Sequence, residues 1–385
     1  MSSAVTSAPF SRAVVSAVRK LYPEALADKS WDNTGRELPD LVFLSCLTDI
    51  PPVLLEAPFN PKNRKNNSVL LTVDLTKAVA DEAIERQDSI VVAYHPIIFR
   101  GLKSLTLANT QQQSLLRLAA EGISVYCPHT AVDAAPGGLG DWLADIVTGT
   151  PADSTSSSKQ SQATTPLTDL NDPFVGERPY YQLRHHPSQR SLSQVGDLTL
   201  ATTPHTREAI TPVTNVPGVE GAGMGRVVRF ESPQLLTWII DRISRGMGNP
   251  KAFTIAIPQG SSIEDLTVSS VGICAGSGGS LFSGLDVDLL FTGELSHHEA
   301  LAAIEKGQVV ITLFHSNTER GYLHNVLKQQ LMTQVREEWD YLRSEEKGKS
   351  DLDSLTREAL EDDFASVEVS ERDRDPYGIV IAQEQ

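Results

Sequence analysis

Cysteine is scarce in this 385-residue chain: Cys46, Cys127 and Cys274 stand apart, with no paired spacing. That excludes a disulfide framework and a thiolate zinc site, and it suits a reducing, cytoplasmic setting with a mitochondrial or nuclear share left open. Cys127 and Cys274 sit in apolar stretches and read as small core residues. No apolar run reaches the ~18 residues of a membrane-crossing helix, so no membrane partner is expected. Positive charge is short too, with 33 Lys and Arg against 49 Asp and Glu and a net charge of −16. Duplex nucleic acid, which needs clustered cations, is not an expected partner. Acidic residues are absent before Glu24, where Arg12, Arg19 and Lys20 stand among serines. That composition suits a transit peptide. The stripe Val14, Val18 and Leu21, with Ser11 as N-cap, favours a structural first helix instead.

What the chain does have is apolar strands that end abruptly in chemistry. Residues 309–313 form a β-rich run that stops at His315, with Glu319 four residues on. If a helix opens there, the two share one face, and an imidazole beside a carboxylate suits a divalent metal. Residues 123–127 repeat the layout with His129 and Asp133, followed by Ala134-Ala135-Pro136-Gly137-Gly138. Each stretch has another strand upstream ending in polar residues: 90–93 before Tyr94-His95-Pro96, and 287–291 before Thr292-Gly293-Glu294 and His297-His298. Matching order in two halves suggests an internal duplication. His129 and Glu294 each have a structural alternative, the capping of a helix.

The pattern predicts helices over 11–27, 76–87, 109–121 and 232–246, and strands over 68–74, 89–94, 123–127, 225–230 and 252–257. Trp31-Asp32-Asn33-Thr34-Gly35 reads as a turn with Trp31 as a core anchor. A β-α-β-α-β order argues for α/β architecture with parallel strands, and ligands gather beyond the carboxyl ends of such strands. Residues 148–170, rich in Ser, Thr and Gln, read as a disordered, dispensable insertion. His185-His186 reads as surface. Residues 266–275 run into Gly276-Ser277-Gly278-Gly279-Ser280, which can hold an anion if a helix starts near Ser280. The end is acidic: 15 acidic and 7 basic residues lie between Arg336 and Asp375. It reads as a solvated face governing solubility, with a last strand at 377–382.

Together, Trp31 to Gly35, Tyr94 to Phe99, His129 to Gly138, 276–280, Thr292-Gly293-Glu294 and His315 to Glu319 resemble the NIF-three-like family (Ngg-one-interacting factor three, "GTP cyclohydrolase type 2-like"), in its eukaryotic form. Gly223-Met224-Gly225-Arg226 is similar as well. The resemblance spans roughly residues 11 to 325. It implies an α/β fold of two similar lobes with a metal site between them, divided as 1–147, an insertion over 148–222, and 223–385. It also implies a homo-oligomeric ring, often hexameric, and a two-metal centre whose ligands match His95, Asp133, His315 and Glu319. Tyr94 stands where bacterial relatives have a further His, which leaves one ion a ligand short. Phe314 stands where the family usually has Gly.

The expected function is therefore a metal-dependent hydrolase of a nucleotide or other phosphorylated small molecule, with one or two ions of Zn, Mn, Fe or Co. Glu319 and His129 are the candidate catalytic residues, His129 as acid/base or as a partner orienting Asp133. Gly276, Ser277, Gly278 and Gly279 are the candidate phosphate cradle. The alternative is a non-enzymatic metal-binding regulatory protein that engages a protein partner, such as a transcriptional cofactor.

Overall fold

The computed structural model describes residues 7–34, 53–149, 203–349 and 352–380. Gly35, Cys46, the His185-His186 pair and all of the 148–170 segment except Thr148 and Gly149 lie outside the described residues. In chain order come α1 (Pro9–Leu21), β1 (Asn66–Thr72), α2 (Lys77–Arg86), β2 (Asp88–Ala93), α3 (Thr110–Glu121), β3 (Ser124–Tyr126), α4 (Thr130–Ala134) and α5 (Leu139–Thr148). Next are β4 (His205–Glu208), β5 (Thr211–Pro212), β6 (Gly223–Met224), β7 (Arg226–Leu235), α6 (Leu236–Gly246), β8 (Thr254–Ala256) and β9 (Thr267–Ser277). The remainder is β10 (Leu289–Glu294), α7 (His297–Glu305), β11 (Val309–Thr312), α8 (Asn317–Tyr322), α9 (Lys328–Lys347), α10 (Ser354–Glu361) and β12 (Ser366–Val369). Among the described residues no helix is long and apolar enough to cross a membrane.

The chain divides into two compact units that do not follow the expected boundaries. The first combines Met1–Leu139, Ala209–Gly225 and Glu319–Pro376; the second combines Gly140–Glu208, Arg226–Thr318 and Tyr377–Gln385. The C-terminal region is thus no appendage of the second lobe, and the 148–222 segment contributes strands to both units. The physical reason is edge pairing: β12 continues the first sheet, where Ser68 to Leu71 pair in parallel with Ser366 to Val369.

The first unit holds a parallel sheet of order β12-β1-β2-β3. β1, β2 and β3 are almost wholly buried on both faces, as crossover helices require, while the edge strand β12 is only partly buried. On α2, Val79, Ala80 and Ala83 form the apolar side and pack with Leu70, Val91, Leu115, Leu118, Ile123 and Val125. Thr76 caps α2 by accepting from Val79 N–H, and Asn109 caps α3 likewise from Gln111 and Gln112. The helix α1 starts at Pro9 after Ala8, two residues before the expected cap. Ser11 is instead buried inside it and donates to the Ser89 carbonyl at 3.2 Å.

The acidic end is packed rather than simply solvated. Trp339 on α9 is buried edge-on against Phe10 of α1, with ring centroids 5.4 Å apart. Glu338 is buried and pairs with Lys20 and Ser16. Leu360 of α10 and Val367 of β12 are fully buried. The expected strand at 377–382 is absent over its described residues, 377–380; the last strand is β12.

The second unit holds a mixed sheet of order β4-β7-β9-β10-β11-β8. Its centre, β9-β10-β11, is parallel, and β7 and β8 join it antiparallel. Gly293 has no room for a side chain: a Cβ would stand 2.6 Å from Gly276 O and 2.7 Å from His315 O. The end of β10 can pass between those backbones only as glycine.

Candidate functional site

Strand register assembles the site in the first unit. The pairing of β1 with β2 reaches Thr72 and Ala93, and two more bonds extend it: Tyr94 N–H to Thr72 O at 2.8 Å and His95 N–H to Val73 O at 2.9 Å. That brings Asp74 and His95 side by side past the sheet's carboxyl edge, where Pro96 prevents further pairing. Asp74 Oδ1 lies 2.9 Å from His95 Nδ1. On the other side of the ring, His95 Nε2 lies 3.3 Å from Oε2 of Glu319, whose side chain is 1% exposed. Burial lowers the basicity of His95, but the carboxylates of Glu319 and Asp74 outweigh it and raise its pKa to about 10.

Asp133 lies close by on α4. Burial pushes its pKa up to about 7, against the pull of the Tyr94 hydroxyl, which donates to Oδ1 at 2.7 Å. Tyr94 therefore orients Asp133, a role that the sequence offered for His129 alongside acid/base chemistry and helix capping. The His129 ring meets Asp32 through Nδ1, 2.6 Å from Oδ1, and its charge also pulls the Asp133 pKa down. It precedes α4 with φ of 34° and makes no side-chain cap bond. Asp32 does the capping instead, accepting from Thr130 N–H at 3.2 Å and from the Thr130 hydroxyl. Burial raises the Asp32 pKa, but His129 and Thr130 together bring it below the usual carboxylate value. The three rings form one cluster: centroids lie 5.1 Å apart for Tyr94–His95, 5.5 Å for Tyr94–His129 and 5.6 Å for His95–His129.

Two residues missed in the sequence reading complete this network. Buried Arg320 on α8 reaches Asp74 Oδ2 at 3.1 Å and Asp373 Oδ2 at 2.6 Å. Asp373, from the acidic end, also accepts from Val73 N–H at 2.7 Å. Asp74 was not singled out either, although a signal was there: it follows an apolar strand just as His95 does. Asp32 stood in a motif read only as a turn. Trp31 beside it is no core anchor, since it remains 48% exposed.

In the second unit, His315 Nδ1 lies 2.9 Å from Glu294 Oε1, both side chains well exposed. Glu294 does not cap α7; Ser296 does, in a reciprocal box with Glu299. His297 and His298 open that helix and are exposed.

The glycine turn departs from expectation. No helix starts near Ser280; residues 279–284 form turns. The Gly276 N–H donates to Thr318 Oγ1 at 2.9 Å and the Gly278 N–H to Glu294 O at 3.3 Å, so both are engaged internally. The Glu299 carboxylate sits where a Gly279 side chain would go, with Oε1 2.1 Å from that Cβ position. Ser277 ends β9. With two amides engaged, no helix dipole and a carboxylate alongside, the turn lacks the features that favour phosphate.

Residues 11–347 match the Duf34/NIF3 (NGG1p interacting factor 3) family. The protein NIF3 homolog of Schizosaccharomyces pombe is 38% identical over 322 residues, 83% of this chain and 88% of that protein. NGG1-interacting factor 3 of Saccharomyces cerevisiae is 35% identical over 331 residues, 85% of this chain and 92% of that protein. The crystal structure of a Bacillus cereus protein related to NIF3 matches with a TM-score of 0.54 at 17% identity, over 95% of this chain and 98% of that one. At that identity the match speaks to the fold alone.

Proposed function

The chain belongs to the Duf34/NIF3 (NGG1p interacting factor 3) family, and from that premise we propose that it binds a divalent metal and hydrolyses a nucleotide or other phosphorylated small molecule. The observation that carries the reading is the arrangement of Asp74, His95 and Glu319. Asp74 faces Nδ1 of His95, which directs Nε2 toward the buried Glu319 carboxylate. A carboxylate behind a histidine is the usual support of a metal-bound imidazole, because it fixes the tautomer and the ring's direction. The donors are of N/O type: His95, Glu319, Asp133 and, four residues before Glu319 in the chain, His315. Such a set suits Zn, Mn, Fe or Co better than the all-oxygen shells of Ca and Mg.

A divalent ion held there would polarise a substrate oxygen and acidify water. The chain's own residues do the rest. Asp32 holds Nδ1 of His129, leaving Nε2 to exchange a proton with substrate or leaving group. Tyr94 holds Asp133 in place. Assembly into a homo-oligomeric ring belongs to the same proposal.

The name of the yeast relative, NGG1-interacting factor 3, favours a second reading, a metal-binding protein that acts through a protein partner. Elemental analysis of the purified protein combined with a screen of phosphorylated substrates separates the two. Glu319→Ala and Asp133→Ala should lose most bound metal, and His186→Ala none. Metal retained in Glu319→Ala would sink the site assignment. Full metal content without turnover of any substrate would favour the interaction reading.

A further inference from the structure

Two large aromatic side chains stand at the edge of the cluster and half in water. Trp31 is 48% exposed and Phe99 50%. Their ring centroids are 5.9 Å apart and their planes tilt by 39°. Trp31 also meets His129 edge to face, at 5.6 Å and 87°. His129 in turn adjoins Tyr94 and His95, so an unbroken series of ring contacts leads from Trp31 to His95.

The Trp31 ring is held in place, and the loop that carries Phe99 is tied beside it. The indole N–H of Trp31 donates to Asp28 Oδ2 at 2.8 Å. Asp28 is anchored through its own N–H to Thr130 Oγ1 at 3.0 Å, and its Oδ1 accepts from the N–H and hydroxyl of Ser30. The loop that carries Phe99 is tied to the Trp31 loop by Asn33, whose amide donates to the Ile98 carbonyl. An exposed ring costs solvation, and an oriented one also costs side-chain entropy. Fixed, adjacent and exposed aromatics beside convergent polar groups are the makings of a stacking surface.

We propose that Trp31 and Phe99 bind the planar ring of the ligand, a nucleobase or comparable heteroaromatic ring, while its phosphorylated end reaches His95 and Glu319. This deepens the reading above and rests on it: that reading requires only a phosphorylated small molecule, and the aromatic pair adds a ring to it. Trp31 and Phe99 act on affinity and specificity and take no part in the bond-breaking step.

The test uses the full-length protein, both metal-free and metal-loaded. Adenosine, guanosine and uridine 5′-monophosphates and flavin mononucleotide are titrated by calorimetry, with ribose 5-phosphate as the ringless probe. At least one ring-bearing probe should bind about tenfold or more tighter than ribose 5-phosphate, a ratio in line with stacking on one or two aromatic side chains. Trp31→Ala should abolish that ratio and leave ribose 5-phosphate binding unchanged. Trp31→Phe should keep most of it. Equal binding of ringed and ringless probes, or a ratio that survives Trp31→Ala, overturns stacking and leaves the phosphate reading standing. Failure of every probe to bind in either preparation overturns both. A change of oligomeric mass in Trp31→Ala with nucleotide affinity intact would make this patch a contact between copies and overturn the proposal as well.

Discussion

The first unit's β1-β2-β3 and the second unit's β9-β10-β11 are the same parallel arrangement, yet they place their histidines in different surroundings. Just past the third strand the backbone turns left-handed in both, with φ of 34° at His129 and 67° at Phe314. Each middle strand leads to a charged or ionisable side chain, His95 after β2 and Glu294 at the end of β10. In the first unit His129 and Asp32 are 10% and 1% exposed; in the second, His315 and Glu294 are 39% and 53% exposed. Buried charges interact strongly and cannot be left unpaired, whereas exposed ones are screened. The lesson is that a repeated motif fixes where a side chain emerges, while the neighbours that bury it decide how strongly it is coupled.

The comparison also explains Phe314. Its φ lies where glycine is favoured and other residues are strained by roughly 1 kcal/mol or more. The Phe314 ring lies 6.3 Å from that of Tyr377, which is itself 71% exposed.

The sharpest way to break the comparison is Arg320→Ala. It leaves the buried Asp373 carboxylate without its arginine and Asp74 with His95, and the loss should reach about 3 kcal/mol, at the lower end for a buried pair because Asp74 is partly exposed and keeps His95. Urea unfolding measures it, and Arg320→Lys should recover part. A loss under about 1 kcal/mol would mean the first unit's network is no more coupled than a surface pair.

Gly293→Ala attacks the second unit where it is tightest. The added methyl meets two backbone oxygens, so a destabilisation of about 1–3 kcal/mol is expected from overpacking. An unchanged thermal midpoint would show that the ends of β9, β10 and β11 separate without strain.

The pH dependence of the metal-free protein should follow the buried groups. The His95 pKa is raised from 6.5 to about 10, so its stabilising contribution is complete below pH 6.5 and is lost as pH rises through about 10. The Asp133 pKa is raised from 3.8 to about 7, so its contribution is full below 3.8 and has been lost by about pH 7. Both terms make stability fall with rising pH across their windows. The His324 pKa, lowered to about 4 mainly by burial, has the opposite sign and removes stability as pH falls from 6.5. Stability curves of wild type and His95→Gln should therefore converge between pH 7 and 10, and parallel curves there would contradict the coupling. A bound cation must displace the His95 proton, so metal affinity should rise over the same range.

The smallest effect belongs to Glu294→Gln. The exposed pair with His315 should contribute less than about 1 kcal/mol and should weaken further in added salt. A loss comparable to that of Arg320→Ala would erase the distinction between the units.

Strands, crossover helices and the parallel order were legible because each is a local property: β-branched runs, apolar stripes and caps such as Thr76 and Asn109 act within a few residues. The points where chemistry emerges, at His95, His129 and His315, were legible for the same reason, since a polar residue after an apolar run must sit past a strand's end; Glu319 follows His315 by four residues, in the first turn of α8. Partner choice was not local. That Tyr94 rather than His129 holds Asp133, that Asp32 caps α4, and that Asp373 reaches Arg320 from the acidic end depended on segments far apart in the chain. The same holds for the C-terminal region, whose composition suggested a solvated tail. Its buried Leu360, Val367 and Trp339 contribute only once β12 pairs with β1 and α9 packs on α1. Composition sets the average environment of a segment, and tertiary packing decides which of its side chains leave water.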